Sequence, residues 1–363
     1  MNKSATEQVA IALQTGVPVL LHGDPGVGKT QGLRAIARAL GRTLHVLELA
    51  LLLPEDLGGI PYVQDGVVRV APPHWLTGVG EGDVLFLDDL GAARPATLNA
   101  ALGLILERRA GVHALPQGVA IVAATNAATQ YGSADIPLPV LTRMAHVEVG
   151  LDVEAWAEGV IADFPTPKVP IVPPDWRGYL PIWRARVAAF ARALGHAHPS
   201  PLHGDEIAEG DYTVPTPRGW HGIALPLLAA CHAVFGEAAM WATAFPLLCG
   251  AVGRGAAAQF RGWVETVRLP SPQELLSGAP LPTRPEEMWA ALSQLAAWAA
   301  NSADLPQLWE ACWDVVLRAF ESSEDAAVPA MRVLAQAGVR NRLRIPADAL
   351  RHAAALLRDV GLM

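Results

Sequence analysis

Residues Gly23-Asp24-Pro25-Gly26-Val27-Gly28-Lys29-Thr30 read GxxxxGKT. A loop of this composition holds phosphate. Its glycines permit a tight turn that aims backbone N–H groups at phosphate oxygens, and the positive end of the following helix adds attraction for the anion. Lys29 would reach the β- and γ-phosphates, and Thr30 would place its hydroxyl on Mg²⁺. Gln31, next in line, opens the helical pattern beyond the loop. A second chemical pair, Asp88-Asp89, lies about 60 residues further on. Two acids after a phosphate loop suit divalent-cation chemistry: Asp88 would hold Mg²⁺, directly or through water, and Asp89 would orient or deprotonate an attacking water.

The elements around these residues are those the chemistry needs. Val17 to Leu21 is an apolar run that reads as a buried strand, and Gln31 to Leu40 reads as a helix, so the loop joins strand to helix. Val84 to Leu87 is a second buried run, delivering Asp88 and Asp89 at its end. Thr43–Leu49 and Gly118–Ala124 are further strands, the latter followed by Thr125-Asn126, and Ala145–Val149 is the last. Ser4, with Glu7 three residues on, has capping-box spacing for a helix over 4–15. Asp65-Gly66 between two alternating apolar runs is a hairpin signal within 58–70. Pro95 to Arg109 reads as a helix. Strands alternating with helices predict an α/β fold with a parallel sheet. Beyond about 150 the texture becomes helical. Pro165–Pro181 and Pro270–Pro285 are proline-rich connectors, and Asp175–Leu194 reads as one helix. The expected division is an α/β nucleotide-binding domain over 1–150, a helical lid over 151–268 and a C-terminal helical region over 282–363.

Composition bounds the function. The chain has 363 residues, is 52% hydrophobic and 17% charged, and so can bury a large core. A net charge of −8 argues against a dedicated nucleic-acid binder. Three scattered cysteines, Cys231, Cys249 and Cys312, form no CxxC and read as reduced, buried thiols of a cytoplasmic protein. The apolar stretch Ala238–Gly253 is interrupted by Pro246 and reads as a buried helix pair; no membrane partner is expected. Ten of the eleven tryptophans lie beyond residue 150, spaced for packing between helices.

The order of phosphate loop, hairpin insertion, acidic strand end, Thr-Asn strand end and arginine before a final strand resembles the AAA-plus ATPases, and more narrowly their MoxR-like branch, over roughly residues 1–265. The resemblance implies ATP and Mg²⁺ as cofactors, with Gly23–Thr30 as Walker A and Asp88-Asp89 as the end of Walker B. It makes Asn126 the sensor 1 residue that positions the hydrolytic water. It places the arginine finger at Arg143, in Leu141-Thr142-Arg143-Met144-Ala145-His146, reaching a neighbouring subunit's site. Arg218, in Pro215-Thr216-Pro217-Arg218-Gly219-Trp220, becomes sensor 2. The hairpin 58–70 matches the helix-2 insertion, which in this branch faces the pore of a ring, and Glu107–Gly111 leads toward the pre-sensor hairpin. A hexameric ring acting on a protein partner, often one with a von Willebrand A domain, is implied. One departure stands out: the family pattern ends Walker B with Asp-Glu, and this chain has Asp-Asp. A side chain one methylene shorter implies slow hydrolysis or a nucleotide-gated scaffold. The other alternative is a nucleic-acid motor or restriction-type NTPase.

Remaining candidates read as structure. His196, His198, His203, Asp205 and Glu206 sit in a Pro/Gly-rich loop without ligand spacing. His22, beside the phosphate loop, reads as packing. Gly250, Gly253 and Gly255 follow no strand and read as close helix packing rather than a dinucleotide fingerprint.

Overall fold

The computed structural model describes residues 1–126, 136–195, 197, 199–267, 269–302 and 304–351. Two compact units emerge, one of residues 1–174 with 203–257 and the other of 175–202 with 258–363.

The first unit opens with α1 (Lys3–Thr15), then β1 (Val19–His22), α2 (Lys29–Ala39), β2 (Leu44–Glu48), α3 (Pro54–Gly58), β3 (Ile60–Gln64) and β4 (Val67–Ala71). There follow β5 (Val84–Asp88), α4 (Pro95–Leu102), β6 (Arg109–Ala110), β7 (His113–Ala114), β8 (Ala120–Thr125), α5 (Leu138–Leu141), β9 (Ala145–Glu148) and α6 (Val153–Ile161). Five strands form one parallel sheet in the order β2-β5-β8-β1-β9. The expected α/β parallel-sheet class is borne out. The three central strands are apolar along their length, as a sheet covered on both faces requires. Because all five strands run the same way, His22, Glu48, Asp88, Thr125 and Glu148 end at one edge of the sheet.

β3 and β4 form the expected hairpin, and Asp65 (φ 53°) and Gly66 (φ 76°) make its turn with both central residues left-handed. All of β3 and most of β4 lie exposed. The helix expected over 95–109 ends earlier. α4 passes into a wider turn at Gly103–Glu107 and stops where Arg108 turns left-handed (φ 55°), opening the small β6–β7 hairpin.

The capping reading of α1 is corrected. Asn2 Oδ1, not Ser4, accepts the Ala5 N–H at 2.8 Å. Ser4 Oγ accepts from Gln8, and Glu7 accepts from Thr243 Oγ1 at 3.2 Å. Both Asn and Ser are good caps, and the one two residues earlier lengthens the helix by about half a turn.

Next in the chain is α7 (Leu180–Leu194), in the second unit. The single helix expected from Asp175 is instead a 3₁₀ turn, Trp176–Tyr179, leading into it. A wide turn, Gly219–Ala224, then leads in the first unit to α8 (Leu225–Ala239) and α9 (Trp241–Val252), and α10 (Arg254–Thr266) follows. The stretch read as a helix pair over 238–253 is mostly one helix, since α9 keeps Pro246 in its interior. Packing at Gly250 offsets the lost backbone hydrogen bond: a Cβ there would stand 2.0 Å from His146 O, so only glycine lets α9 lie directly on β9. Close packing at this glycine is as expected. Among the described residues, Gly219–Ala239 is 21 residues long and apolar enough to cross a membrane by length and composition. Leu227, Leu228, Ala229 and Ala230 in it are buried within the protein, and Gly236 departs from helical geometry (φ 73°, ψ 162°).

The second unit comprises α7, most of α10, α11 (Pro272–Leu276), α12 (Pro285–Ala300), α13 (Leu305–Ser322) and α14 (Glu324–Asn341). Its core is Leu- and Ala-rich, with Trp309 and Trp313 edge to face at 5.7 Å. Phe190, Phe260 and Trp263 form a second aromatic group. The tryptophans here pack between helices, as their spacing suggested. The segment 270–285 is not wholly a linker: Ser271 and Glu274 build a capping box that starts α11. Cys231, Cys249 and Cys312 are free thiols, and burial pushes them up to about 12, 11 and 11.

Candidate functional site

The site lies in the first unit, at the edge where the parallel strands end, where β1 meets β8 and β9. In open α/β sheets this is where ligands bind. β1 delivers the loop 23–28. Gly26 (φ 83°) and Gly28 (φ 88°) occupy the left-handed region, so one glycine that the motif demands and one at a variable position carry the turn. Asp24, Pro25 and Gly26 are exposed on the loop, Val27 and Gly28 are partly covered, and Gln31 points to solvent from the first turn of α2. Gly23 is the close approach: a Cβ on it would meet Val149 O at 2.4 Å, so the root of the loop is braced by the end of β9.

Lys29 is buried. Its ammonium donates to Gly23 O (2.7 Å), Asp24 O (3.2 Å) and Asn126 Oδ1 (3.1 Å). Burial holds it below its ordinary lysine value, against the pull of Asp89, Asp88 and Asp24. Thr30 Oγ1 donates to Asp88 Oδ2 at 2.9 Å. Asp89 turns left-handed (φ 53°, ψ 47°), its backbone N–H bonds Asp88 Oδ1 at 3.1 Å, and its Oδ1 receives Asn126 Nδ2 at 3.5 Å. Lys29, Thr30, Asp88, Asp89 and Asn126 are thus drawn together from two strand ends and the start of one helix.

A hydroxyl oxygen converging on a carboxylate oxygen is the hard-oxygen donor set that Mg²⁺ prefers, so Thr30 and Asp88 fit this ion. The glycine turn, the N-terminus of α2 and Lys29 fit a phosphate chain. The base-binding half of a nucleotide site carries no motif comparable with these.

The two arginines stand apart from this cluster. Arg143 follows α5, and its Nη1 donates to Pro139 O at 2.6 Å. Burial, and after it the charge of Arg218, lowers its ordinary value, so the two guanidiniums sense each other. Arg218 is exposed at the start of the turn that leads into α8, where Thr216 Oγ1 caps Gly219 N at 2.9 Å. His203 and Asp205 form an exposed pair at 2.9 Å. Among the described residues no group of His, Cys, Asp and Glu could hold a metal, and His196 and His198 lie outside the described residues.

His22 packs as its sequence position suggests, and it also has two partners distant in the chain, His146 and Tyr212. His22 Nε2 lies 2.8 Å from His146 Nδ1, and His146 Nε2 lies 2.9 Å from Leu141 O. A carbonyl can only accept, so His146 carries its proton on Nε2, and its bare Nδ1 accepts from His22 Nε2–H. Tyr212 stacks on His22 at 3.7 Å. Burial, then His146 and Lys29, pushes His22 down to about 2, and burial pushes His146 to about 4. The signal that could have found His146 is a polar residue inside an otherwise apolar strand.

Residues 18–144 match the AAA domain family, dynein-related subfamily. Over part of its length the chain is similar to MoxR proteins. MoxR of Methylorubrum extorquens is 36% identical over 106 residues, 29% of this chain and 31% of that relative. MoxR of Paracoccus denitrificans is 40% identical over 92 residues, 25% of this chain and 27% of that relative. A Holliday junction branch migration complex subunit RuvB, from Anaeromyxobacter sp. (strain K), is 37% identical over 83 residues, 23% of this chain and 20% of that relative. The matched stretch therefore spans less than a third of the length of either MoxR relative.

Proposed function

We propose that this chain binds and hydrolyses ATP as a subunit of a MoxR-like AAA ring and uses the cycle to remodel or activate a protein partner. The observation that carries the reading is the convergence of Lys29, Thr30, Asp88, Asp89 and Asn126 within hydrogen-bond reach at the end of the parallel sheet. Lys29 would exchange its bonds to Gly23 O and Asp24 O for the β- and γ-phosphates. Thr30 and Asp88 would hold Mg²⁺, which when bound neutralises charge on the phosphates. Asn126 and Asp89 would hold a water in line with the γ-phosphorus. The water oxygen forms the new P–O bond, the bond to the β-phosphate oxygen breaks, ADP leaves, and the water proton passes to Asp89 or solvent. Positive charge on the transferring group is then needed, and an arginine supplied by a neighbour is worth about 10³–10⁵ in rate. Arg143, partly exposed and bonded to Pro139 O, is the candidate, and Arg218 is the candidate for γ-phosphate contact.

The exposed hairpin β3–β4 supports an action on another protein. Val63 and Val68 are 73% and 68% exposed at a position that nothing in its own unit covers, where a ring would present them to a client. Helices of 151–268 would serve as the lid, and 282–363 would brace the ring or recruit the partner. A hexamer, a von Willebrand A partner and cytoplasmic residence belong to this proposal. A nucleic-acid substrate, in keeping with the RuvB likeness, is opposed by the net charge of −8. The short side chain of Asp89 favours a second reading, a slow, nucleotide-gated scaffold.

Phosphate release and particle mass, measured together against protein concentration, test the proposal, with Lys29→Ala as the blank. A rate per subunit that climbs as rings form supports the motor. Tight ATP binding with release no faster than the Lys29→Ala blank supports the scaffold. Neither binding nor release would sink both.

A further inference from the structure

The buried histidine pair lies on an unbroken path between the phosphate loop and Arg143. Lys29 Nζ bonds Gly23 O at 2.7 Å, and His22 immediately precedes Gly23. His22 Nε2 donates to His146 Nδ1 at 2.8 Å, and His146 Nε2 donates to Leu141 O at 2.9 Å. Two residues past Leu141, Arg143 is pinned to Pro139 O at 2.6 Å. Tyr212 holds the His22 ring flat, stacked at 3.7 Å. Gly250 lets α9 clamp the His146 backbone from outside. Both rings are buried and hydrogen-bonded, which gives movement at one end of the path a route to the other.

A switchable element sits at the loop end. The Lys29 ammonium holds loop carbonyls here, and a phosphate would draw it away, freeing Gly23 O next to His22. Resting on the proposed role of Arg143, we propose that His22 and His146 are positioning residues that couple occupancy of the phosphate loop to the placement of Arg143. Buried imidazoles must be hydrogen-bonded, and the direction of their bonds shows which segments they join. This pair is directional: each ring donates toward the arginine segment, ending on the last carbonyl of the helix that Arg143 follows.

Hydrogen exchange of the full-length protein tests the coupling at the Thr142 and Arg143 amides, which bond Leu138 O and Val140 O. The probe is ATPγS with magnesium. In the wild type, nucleotide changes exchange at these amides by about fivefold or more, the lower bound of ordinary site-to-site coupling. His22→Gln keeps an N–H donor of similar reach and retains the response. His22→Leu lacks the donor and loses the response, while its nucleotide affinity stays within about threefold. Its turnover falls at unchanged KM to the level of Arg143→Ala, and the double variant falls no further. His146→Asn, which keeps an acceptor for His22 and drops the donor to Leu141, replaces His22→Leu should that variant not fold. A His22→Leu protein that binds nucleotide and still shows the full exchange response overturns the coupling. If Arg143→Ala leaves turnover unchanged while the exchange pattern follows the donors, the hydrolytic role of Arg143 fails and the link stands.

Discussion

Lengthening Asp89 by one methylene discriminates a detuned motor from a site that has lost its catalytic carboxylate. Asp89 Oδ1 lies 3.5 Å from Asn126 Nδ2, at the outer limit of a hydrogen bond. Glutamate would carry the carboxylate about 1.5 Å further toward the water position. A displacement of about 1 Å at a catalytic group is worth about 10²-fold, so Asp89→Glu should raise kcat about 10- to 100-fold. The backbone opposes the change. Asp89 is left-handed at φ 53°, a conformation that aspartate visits routinely and glutamate does not. That costs about 1 kcal/mol of stability, equivalent to a Tm about 2–4 °C lower. Phosphate release under saturating Mg·ATP, paired with a thermal melt, reads both effects. Asp89→Asn, which keeps the turn and removes the charge, should be stable and inactive. If Asp89→Glu melts lower but hydrolyses no faster, the reach of Asp89 is not what limits the reaction, and the reasoning fails.

Other outcomes follow from the same geometry. Thr30→Ala removes the hydroxyl that meets Asp88, so ATP affinity in magnesium should fall about tenfold while affinity in EDTA hardly moves, as read by titration with a fluorescent nucleotide. His146 and His22 stay neutral in the folded protein down to about 4 and about 2, against an ordinary 6.5. Above pH 6.5 neither contributes a pH dependence. Below it the unfolded chain takes up protons that the folded one refuses, so stability falls by up to about 1.4 kcal/mol per pH unit for each histidine. Urea midpoints between pH 6.5 and 5 should therefore drop, and His22→Gln should roughly halve the slope. Gly250→Ala drives a methyl group into His146 O and should cost about 1–3 kcal/mol, seen as a lower urea midpoint with an unchanged m-value.

What was legible in the sequence is what local chemistry dictates. The phosphate loop needs glycine at Gly26 and Gly28 for positive φ, and the apolar runs before Gly23 and Asp88 can only be buried strands, so their meeting at one sheet edge could be inferred before any coordinates. The Asp65-Gly66 turn was equally plain. What escaped depends on partners distant in the chain. α7 groups with α12, a hundred residues away, rather than with the lid residues beside it, because helix faces of similar apolarity do not announce their mates. The His22–His146 bond spans 124 positions and leaves no spacing rule to find. The end of α4 was misplaced because Gly103–Glu107 has helical composition, and the left-handed Arg108 that stops it is not a residue that normally signals a stop.

Mixing two inactive variants tests most directly whether neighbouring subunits share the site. Arg143→Ala keeps an intact phosphate loop and lacks the arginine. Lys29→Ala keeps the arginine and lacks the loop's lysine. Each should hydrolyse ATP at background rate alone. In randomly mixed rings about a quarter of the interfaces unite a good loop with a good arginine, and phosphate release should recover to about that fraction of wild type. A mixture that assembles and stays at background would contradict an arginine supplied in trans.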